Sequence, residues 1–161
     1  MSLHRPPHDQ HPISDAAALA ALWGQVLGPA SYRTRCVWLL FLDSRRRPAG
    51  PVLTVDDVPD GPYDLAVDDL VGLCREILDG PGGGGSVAML MSRSGGAPWT
   101  VSDRAWARFL VRAASAVGGQ VWPVRLAHRY GAAGAADLLE QHRDACVGAG
   151  PGPLPLTADQ A

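Results

Sequence analysis

The sequence predicts a single domain of the α/β (α+β) class, in which helices flank a mixed sheet to give three layers. Segments with helical periodicity alternate with short apolar runs that favour strands, in the order α-β-β-α-β-α-β-α. Strands separated by helices are typical of a mixed sheet covered by helices. The chain has 161 residues, of which 47% are hydrophobic and 19% charged, so it can bury one sizeable core.

The two ends of the chain differ in composition from its body. Residues 1–13 are polar and carry several prolines, and residues 148–161 are rich in glycine and proline. Such segments bury too little apolar surface to hold one conformation. We therefore expect a disordered N-terminal tail over residues 1–13, one domain over residues 14–147 and a disordered C-terminal tail over residues 148–161.

The first half of the domain is predicted to contribute a helix and a β-hairpin. Ser14 or Asp15 can cap a helix over about residues 15–28, which carries an apolar stripe. Residues 35–42, RCVWLLFL, are typical of a central strand that is buried on both faces. A turn then leads to residues 51–55, PVLTV, as the returning strand of the hairpin.

The second half alternates helices with strands. Helices are predicted over about residues 66–79 and 101–117, a last helix or half-helix over 134–146, and strands over residues 86–92 and 120–127. The residues predicted to point inward from the first two of these helices are Ala66, Leu70, Val71, Leu73, Cys74 and Ile77, and Trp106, Leu110, Ala113 and Val117.

Composition excludes several classes of function. The net charge of −2 provides no general attraction to nucleic acid. No apolar run approaches the ~20 residues of a membrane span, and the N-terminus has no signal-peptide core. We therefore expect a cytoplasmic protein that contacts neither membrane nor nucleic acid. All fourteen basic residues are arginine, which is typical of a GC-rich genome such as that of an actinobacterium.

Common catalytic and metal-binding motifs are missing. Cys36, Cys74 and Cys146 are isolated, and the first two are expected to be reduced and buried. The glycine run at 82–85 leaves a helix without a lysine, so it predicts a linker rather than a phosphate-binding loop. His128 ends a strand, where a surface imidazole is the simplest interpretation. We expect no catalytic residue, no metal and no cofactor.

Arginines form two patches. Arg104, Arg108 and Arg112 recur every four residues and so share one helix face, opposite Trp106 and Leu110. A second cluster, at residues 45–47, lies on the hairpin turn. Either patch could bind phosphate or carboxylate, or could simply be a solvated face.

Residues 92–104, SRSGGAPWTVSDR, join an apolar strand to a helix through a glycine turn. The pair Thr100 and Asp103 is a helix-capping pattern. Over residues 35–127, somewhat more than half the chain, the order of elements resembles the RadC-like branch of the JAB/MPN metalloprotease-type domain. In that family an apolar strand ends in His-x-His-Pro-Ser-Gly, and Ser-x-x-Asp begins the next helix. The resemblance implies a JAB/MPN-like (cytidine-deaminase-like) fold in which two histidines and the aspartate bind zinc, while an upstream glutamate activates water.

This chain departs from the family pattern at the ligands. Ser92-Arg93-Ser94 stands in place of His-x-His, and Thr100-Val-Ser-Asp103 in place of Ser-x-x-Asp. Only Asp103 keeps a ligand-type side chain, and no glutamate precedes Glu76. Since catalytic zinc needs about three protein ligands, the resemblance implies a pseudoenzyme with an emptied metal site.

The leading hypothesis is therefore a non-catalytic interaction, scaffold or regulatory module with a protein partner. Its contact surface is expected at the loop 92–100, with Trp99 exposed beside Arg93 and Arg104, because tryptophan and arginine are common interface anchors.

Two alternatives remain open. The first is a protein that binds a small anion or nucleotide through backbone N–H groups at 94–96 and at the helix start, assisted by arginine. The second is a metal-independent hydrolase with Ser92 or Ser94 as nucleophile, although the sequence shows no base for it. The candidate binding residues are Arg93, Ser94, Gly95, Gly96, Trp99, Thr100, Asp103, Arg104 and Arg108.

Overall fold

A five-stranded mixed sheet carries helices on both of its faces. The computed structural model describes residues 2–4, 11–63, 65–79, 84–96 and 99–128. The strands are β1 (Ser2–His4), β2 (Cys36–Leu42), β3 (Val52–Val55), β4 (Ser86–Arg93) and β5 (Arg125–His128). They lie in the order β1-β3-β2-β4-β5, and β4 and β5 are parallel whereas the other neighbours are antiparallel. The predicted mixed α/β class is confirmed.

Three α-helices lie between the strands: α1 (Ala16–Val26), α2 (Val67–Leu78) and α3 (Val101–Val117). Asp15 caps α1, since its carboxylate accepts hydrogen bonds from the backbone N–H groups of Ala17 at 2.9 Å and Ala18 at 2.8 Å. The bond from Ala18, with one from Ser14, lowers the pKa of this carboxyl. A 3₁₀ turn, Pro29–Tyr32, leads from α1 towards β2. The predicted helices over 15–28, 66–79 and 101–117 are confirmed to within two residues.

The central strand β2 is buried along its whole length because each face meets a helix layer. Its odd-numbered members pack with buried residues of α2 and α3, and its even-numbered members pack with those of α1. Burying each large apolar side chain contributes about 1.5–3 kcal/mol, so the burial of this strand contributes strongly to core stability. The predictions of a central strand over 35–42, of its hairpin partner and of a buried strand over 86–92 are confirmed.

Several boundaries differ from the sequence-based expectation. The last strand begins at Arg125 rather than 120, since Pro123 has no N–H to give to a sheet ladder. Ala66 and Ile77, which are predicted to point inward, are exposed. Within α2, Val71 and Cys74 are buried, and Leu70 and Leu73 are half-buried. The predicted helix over 134–146, the tail over 148–161 and Cys146 lie outside the described residues.

The N-terminal segment, for which a tail is predicted, contributes to the body of the domain. Residues 2–4 pair antiparallel with β3 as the edge strand β1. Ile13 is buried, and its N–H donates to the carbonyl of Arg46 at 2.8 Å. An exposed sheet edge offers backbone hydrogen bonds to any extended segment. The polar composition of the N-terminal residues therefore does not reveal that they pair with the sheet.

Two glycines provide a test of the backbone packing. A Cβ at Gly85, where β4 begins, would overlap the carbonyl oxygen of Leu42, whereas a Cβ at Gly72 on the exposed side of α2 would meet nothing within 4 Å. We expect Gly85→Ala to lower the free energy of unfolding by about 1–3 kcal/mol. Gly72→Ala should raise it by about 0.5–1 kcal/mol, because alanine favours the helix interior. Urea unfolding measures both, and equal stability of the two variants would contradict this packing.

Candidate functional site

The loop 92–104 begins at the edge of the sheet where the parallel strands β4 and β5 end. Arg93 and His128, the last residues of these strands, are register partners, so their side chains leave the sheet on the same face. This face is the one that α3 covers. In open α/β sheets, the carboxyl ends of parallel strands are a common position for ligands.

Arg93 and Asp103 form a buried bidentate ion pair at this edge. Nε of Arg93 lies 3.0 Å from both carboxylate oxygens of Asp103, and Nη2 lies 2.8 Å from Oδ2. Arg93 is 8% exposed and Asp103 is fully buried, so water screens neither charge. Bidentate arginine–carboxylate pairs combine two charge-assisted hydrogen bonds with a fixed orientation.

The same carboxylate also caps α3. The N–H of Thr100 donates to Oδ2 of Asp103 at 2.8 Å, and the N–H of Asp103 donates to Oγ1 of Thr100 at 3.1 Å. Arg35 adds a second guanidinium, with its Nη2 at 3.6 Å from Oδ1. Burial acts to raise the pKa of Asp103, but the hydrogen bonds from Arg93 and Thr100 outweigh it, so the pKa is lowered. The predicted capping pattern is confirmed.

A second layer of contacts ties the loop at residues 59–60 to the start of α3. Arg35 pairs with Asp60 at 2.8 Å, and the indole N–H of Trp106 donates to the carbonyl of Pro59 at 2.9 Å. The hydroxyl of Ser102 donates to the carbonyl of Asp60. The bonds of Ser102 and Trp106 connect α3 to residues 59–60, whereas the ion pair connects α3 to β4.

Ser92 points to the opposite face of the sheet, as its neighbour Arg93 requires. Its hydroxyl accepts from the indole N–H of Trp38 at 2.8 Å and donates to the carbonyl of Ser31 at 2.6 Å. The side chain is fully buried. The proton of this hydroxyl is already donated, and no substrate reaches the oxygen, so the geometry does not support Ser92 as a nucleophile.

The candidate binding residues differ in how far the structure buries them. Arg93 and Asp103 are buried and paired with each other, and Trp99 is half-buried against the core. The expected surface of exposed Trp99 beside Arg93 is therefore wrong, because a strand-end arginine is more stable paired with a buried carboxylate than alone. Gly96 is half-buried, and the exposed members are Ser94, Gly95, Thr100, Arg104 and Arg108.

Gly95 has a structural reason to be glycine. Its φ is 90°, a conformation that side chains rarely adopt, and a Cβ there would lie 3.1 Å from Nη1 of Arg93. That nitrogen also donates to the carbonyl of Ser94 at 3.0 Å. The turn therefore packs closely against the guanidinium of Arg93.

Sequence reasoning missed three members of the site. Arg35 and Asp60 come from distant parts of the chain, and no local pattern connects them with Asp103. His128 could have been assigned from strand alternation, because Val124 and Leu126 share its face. Its Nδ1 is buried and has no hydrogen-bond partner in the described part of the chain.

The described residues offer no ready metal centre. Within them, no three side chains of His, Cys, Asp or Glu lie close enough together to hold a metal ion. Cys36 and Cys74 are free and buried, as predicted, and burial raises the pKa of Cys74 to about 11. No helix in that part of the chain is long and apolar enough to cross a membrane.

Asp103→Asn tests the ion pair. Removing the carboxylate charge leaves the Arg93 guanidinium buried and uncompensated, so the free energy of unfolding should fall by about 3–5 kcal/mol. The matched control is Asp60→Asn, which removes an almost fully exposed partner of Arg35 and should cost less than about 1 kcal/mol. Equal losses in urea unfolding would show that the buried pair contributes nothing special.

The pH dependence of stability should follow the same carboxylate. Because its pKa is lowered in the folded state, its contribution is complete above the ordinary value of about 4 and is lost as the pH falls through the folded pKa. Wild-type stability should therefore decline in acid more steeply than that of Asp103→Asn. Parallel acid profiles of the two proteins would contradict this assignment.

Ser92→Ala tests the contact on the other face. The substitution leaves the indole N–H of Trp38 and the carbonyl of Ser31 without their partner, and should cost about 1–3 kcal/mol. A fluorophosphonate probe should leave Ser92 of the folded wild type unlabelled, as mass spectrometry can verify. Labelling at that position would restore the nucleophile hypothesis.

None of the known protein-family models matches the chain, and no curated protein or solved structure matches it either. Function is therefore inferred from the geometry of the residues themselves.

Proposed function

We propose that the protein is a non-catalytic interaction module of the JAB/MPN type, in which an arginine–aspartate ion pair takes the place of the metal site. One observation carries this proposal: the guanidinium of Arg93 grips the carboxylate of Asp103 from 2.8 to 3.0 Å. Asp103 is the side chain that the resemblance would make a zinc ligand. Its charge is instead balanced by a cation that belongs to the chain.

The residues at the remaining ligand positions do not fit zinc. Ser92 is fully buried and holds Trp38 and Ser31 through its hydroxyl. Ser94 is exposed and offers only a neutral hydroxyl. Zinc in a catalytic site takes about three nitrogen, oxygen or sulfur ligands, with histidine imidazole, cysteine thiolate and carboxylate preferred.

The ion pair makes the structural connection that a metal ion would make at this position. A metal at this position would join the end of one strand to the first turn of the next helix, and Arg93 and Asp103 make that connection. Such a replacement removes Lewis-acid chemistry while the surrounding fold is retained. A module of this kind acts through its surface.

The anion-binding alternative loses part of its expected donor set in this geometry. The donors expected for it are the backbone N–H groups of residues 94–96 and of the start of α3, together with Arg93 and Arg104. Arg93 is already paired with Asp103, and the N–H groups of Thr100 and Asp103 bond within the capping box. A phosphate there would also face the buried carboxylate of Asp103.

Zinc binding tests the proposal directly. The test uses a variant in which His4, His8 and His11 are replaced by alanine. These substitutions remove imidazoles that could bind zinc independently of Asp103. We expect this variant, purified without chelator and then titrated with zinc, to hold only substoichiometric metal by elemental analysis and calorimetry. One tightly bound zinc per chain, lost on Asp103→Asn substitution, would contradict the proposal.

A further inference from the structure

We propose that a groove between α2 and α3 is the partner-binding surface of this module, and that its partner is an acidic amphipathic helical segment of another protein. This inference rests on the proposed function and specifies it. The open groove has a volume of about 970 Å³, and its lining residues do not include Arg93 or Asp103.

The lining of the groove is partly apolar. Leu65, Val67, Phe109 and Val111 contribute to it. Leu65 is 50% exposed, and Val101, one turn before the lining residue Ala105, is 74% exposed. Large apolar side chains left this accessible beside a concave surface mark a site where another apolar surface can be buried.

The α3 side of the groove carries positive charge. Arg108 and Arg112 line it, and Arg104 continues the same row towards the start of α3. All three are exposed, and within the described ranges no ion pair is formed by any of them. Asp68 is the acidic side chain among the lining residues.

This row is unfavourable for the helix in isolation. Like charges four residues apart destabilise a helix by about 0.2–0.5 kcal/mol per pair. Arg104 also lies in the first turn of α3, where the helix dipole disfavours a positive charge. Carboxylates of a partner would remove both penalties, and bidentate arginine–carboxylate contacts would fix its register.

The dimensions of the groove favour a helix as the occupant. From Ala105 to Ala116 the lining extends along α3 for about 17 Å, the length of about 11 helical residues. Arginines at steps of about 6 Å match carboxylates placed four residues apart on a partner helix. An apolar stripe on that helix would cover the apolar lining residues of the groove, as in other helix-in-groove complexes.

Other occupants fit less well. The groove offers no row of aromatic side chains for stacking nucleic-acid bases, and the net charge of the chain is −2. A second copy would need an acidic helix with a free apolar face. Among the described helices, α1 carries no acidic residue, and the buried residues of α2 already pack in the core of its own chain.

A phage-displayed library of random peptides of about 14 residues, selected on the full chain, tests the proposal. Enriched peptides should carry Asp or Glu four residues apart with apolar residues on one face. Their affinity for Arg108→Glu/Arg112→Glu should fall by at least about tenfold, since like charges then meet. Replacing the peptide carboxylates by lysine should recover binding to that variant. Arg45→Glu, an exposed change on the hairpin turn, should leave affinity unchanged.

Several results would overturn the proposal. These are no enrichment, enriched peptides without acidic residues, or the same affinity for the double charge-reversal variant. Tighter binding to a uridine oligomer or to phosphatidylserine vesicles would assign the arginines to nucleic acid or lipid. A dimer that dissociates in the variant would assign the groove to a second copy. Peptide binding that emerges only after Asp137, Glu140 and Asp144 are neutralised would assign it to the chain's own segment 134–146.

The two proposals fail separately. A chain that binds zinc at Asp103 contradicts the pseudoenzyme whatever the peptides show. If the chain binds no zinc and selects no acidic peptide, the proposed ion-pair site stands and only the proposed acidic partner is contradicted.

Discussion

The buried ion pair between Arg93 and Asp103 connects the sheet to the helix that covers it. Arg93 ends β4, and Asp103 lies in the first turn of α3, where it also completes the capping box. Separating such a pair leaves a charge without water or partner, at a cost of about 3–5 kcal/mol. This contact fixes the start of α3 against the end of β4, and the bonds of Ser102 and Trp106 to residues 59–60 add to it.

Strand alternation gives the end of β4 a double role. Ser92 and Arg93 are adjacent in sequence but leave the sheet on opposite faces. Ser92 binds Trp38 and the 3₁₀ turn on the α1 side, whereas Arg93 binds the start of α3. Two polar residues at one strand end therefore connect the sheet to a segment on each of its faces.

The helix α3 has two faces with separate tasks. Trp106 and Leu110 are buried beneath it, and Arg104, Arg108 and Arg112 are exposed above it. The ion pair lies at the start of this helix, and the positive charges of the three arginines are exposed on its outer face.

The sequence by itself determined the helices, the buried strands and the capped start of α3, because hydrophobic period and capping residues are local properties. It also predicted the shared arginine face of α3. Only the tertiary structure decided that Arg93 is buried, that Arg35 and Asp60 join it, and that Trp99 is half-buried. Those outcomes depend on which segments meet across the sheet. A guanidinium at a strand end looks like a surface residue until the fold places a carboxylate opposite it.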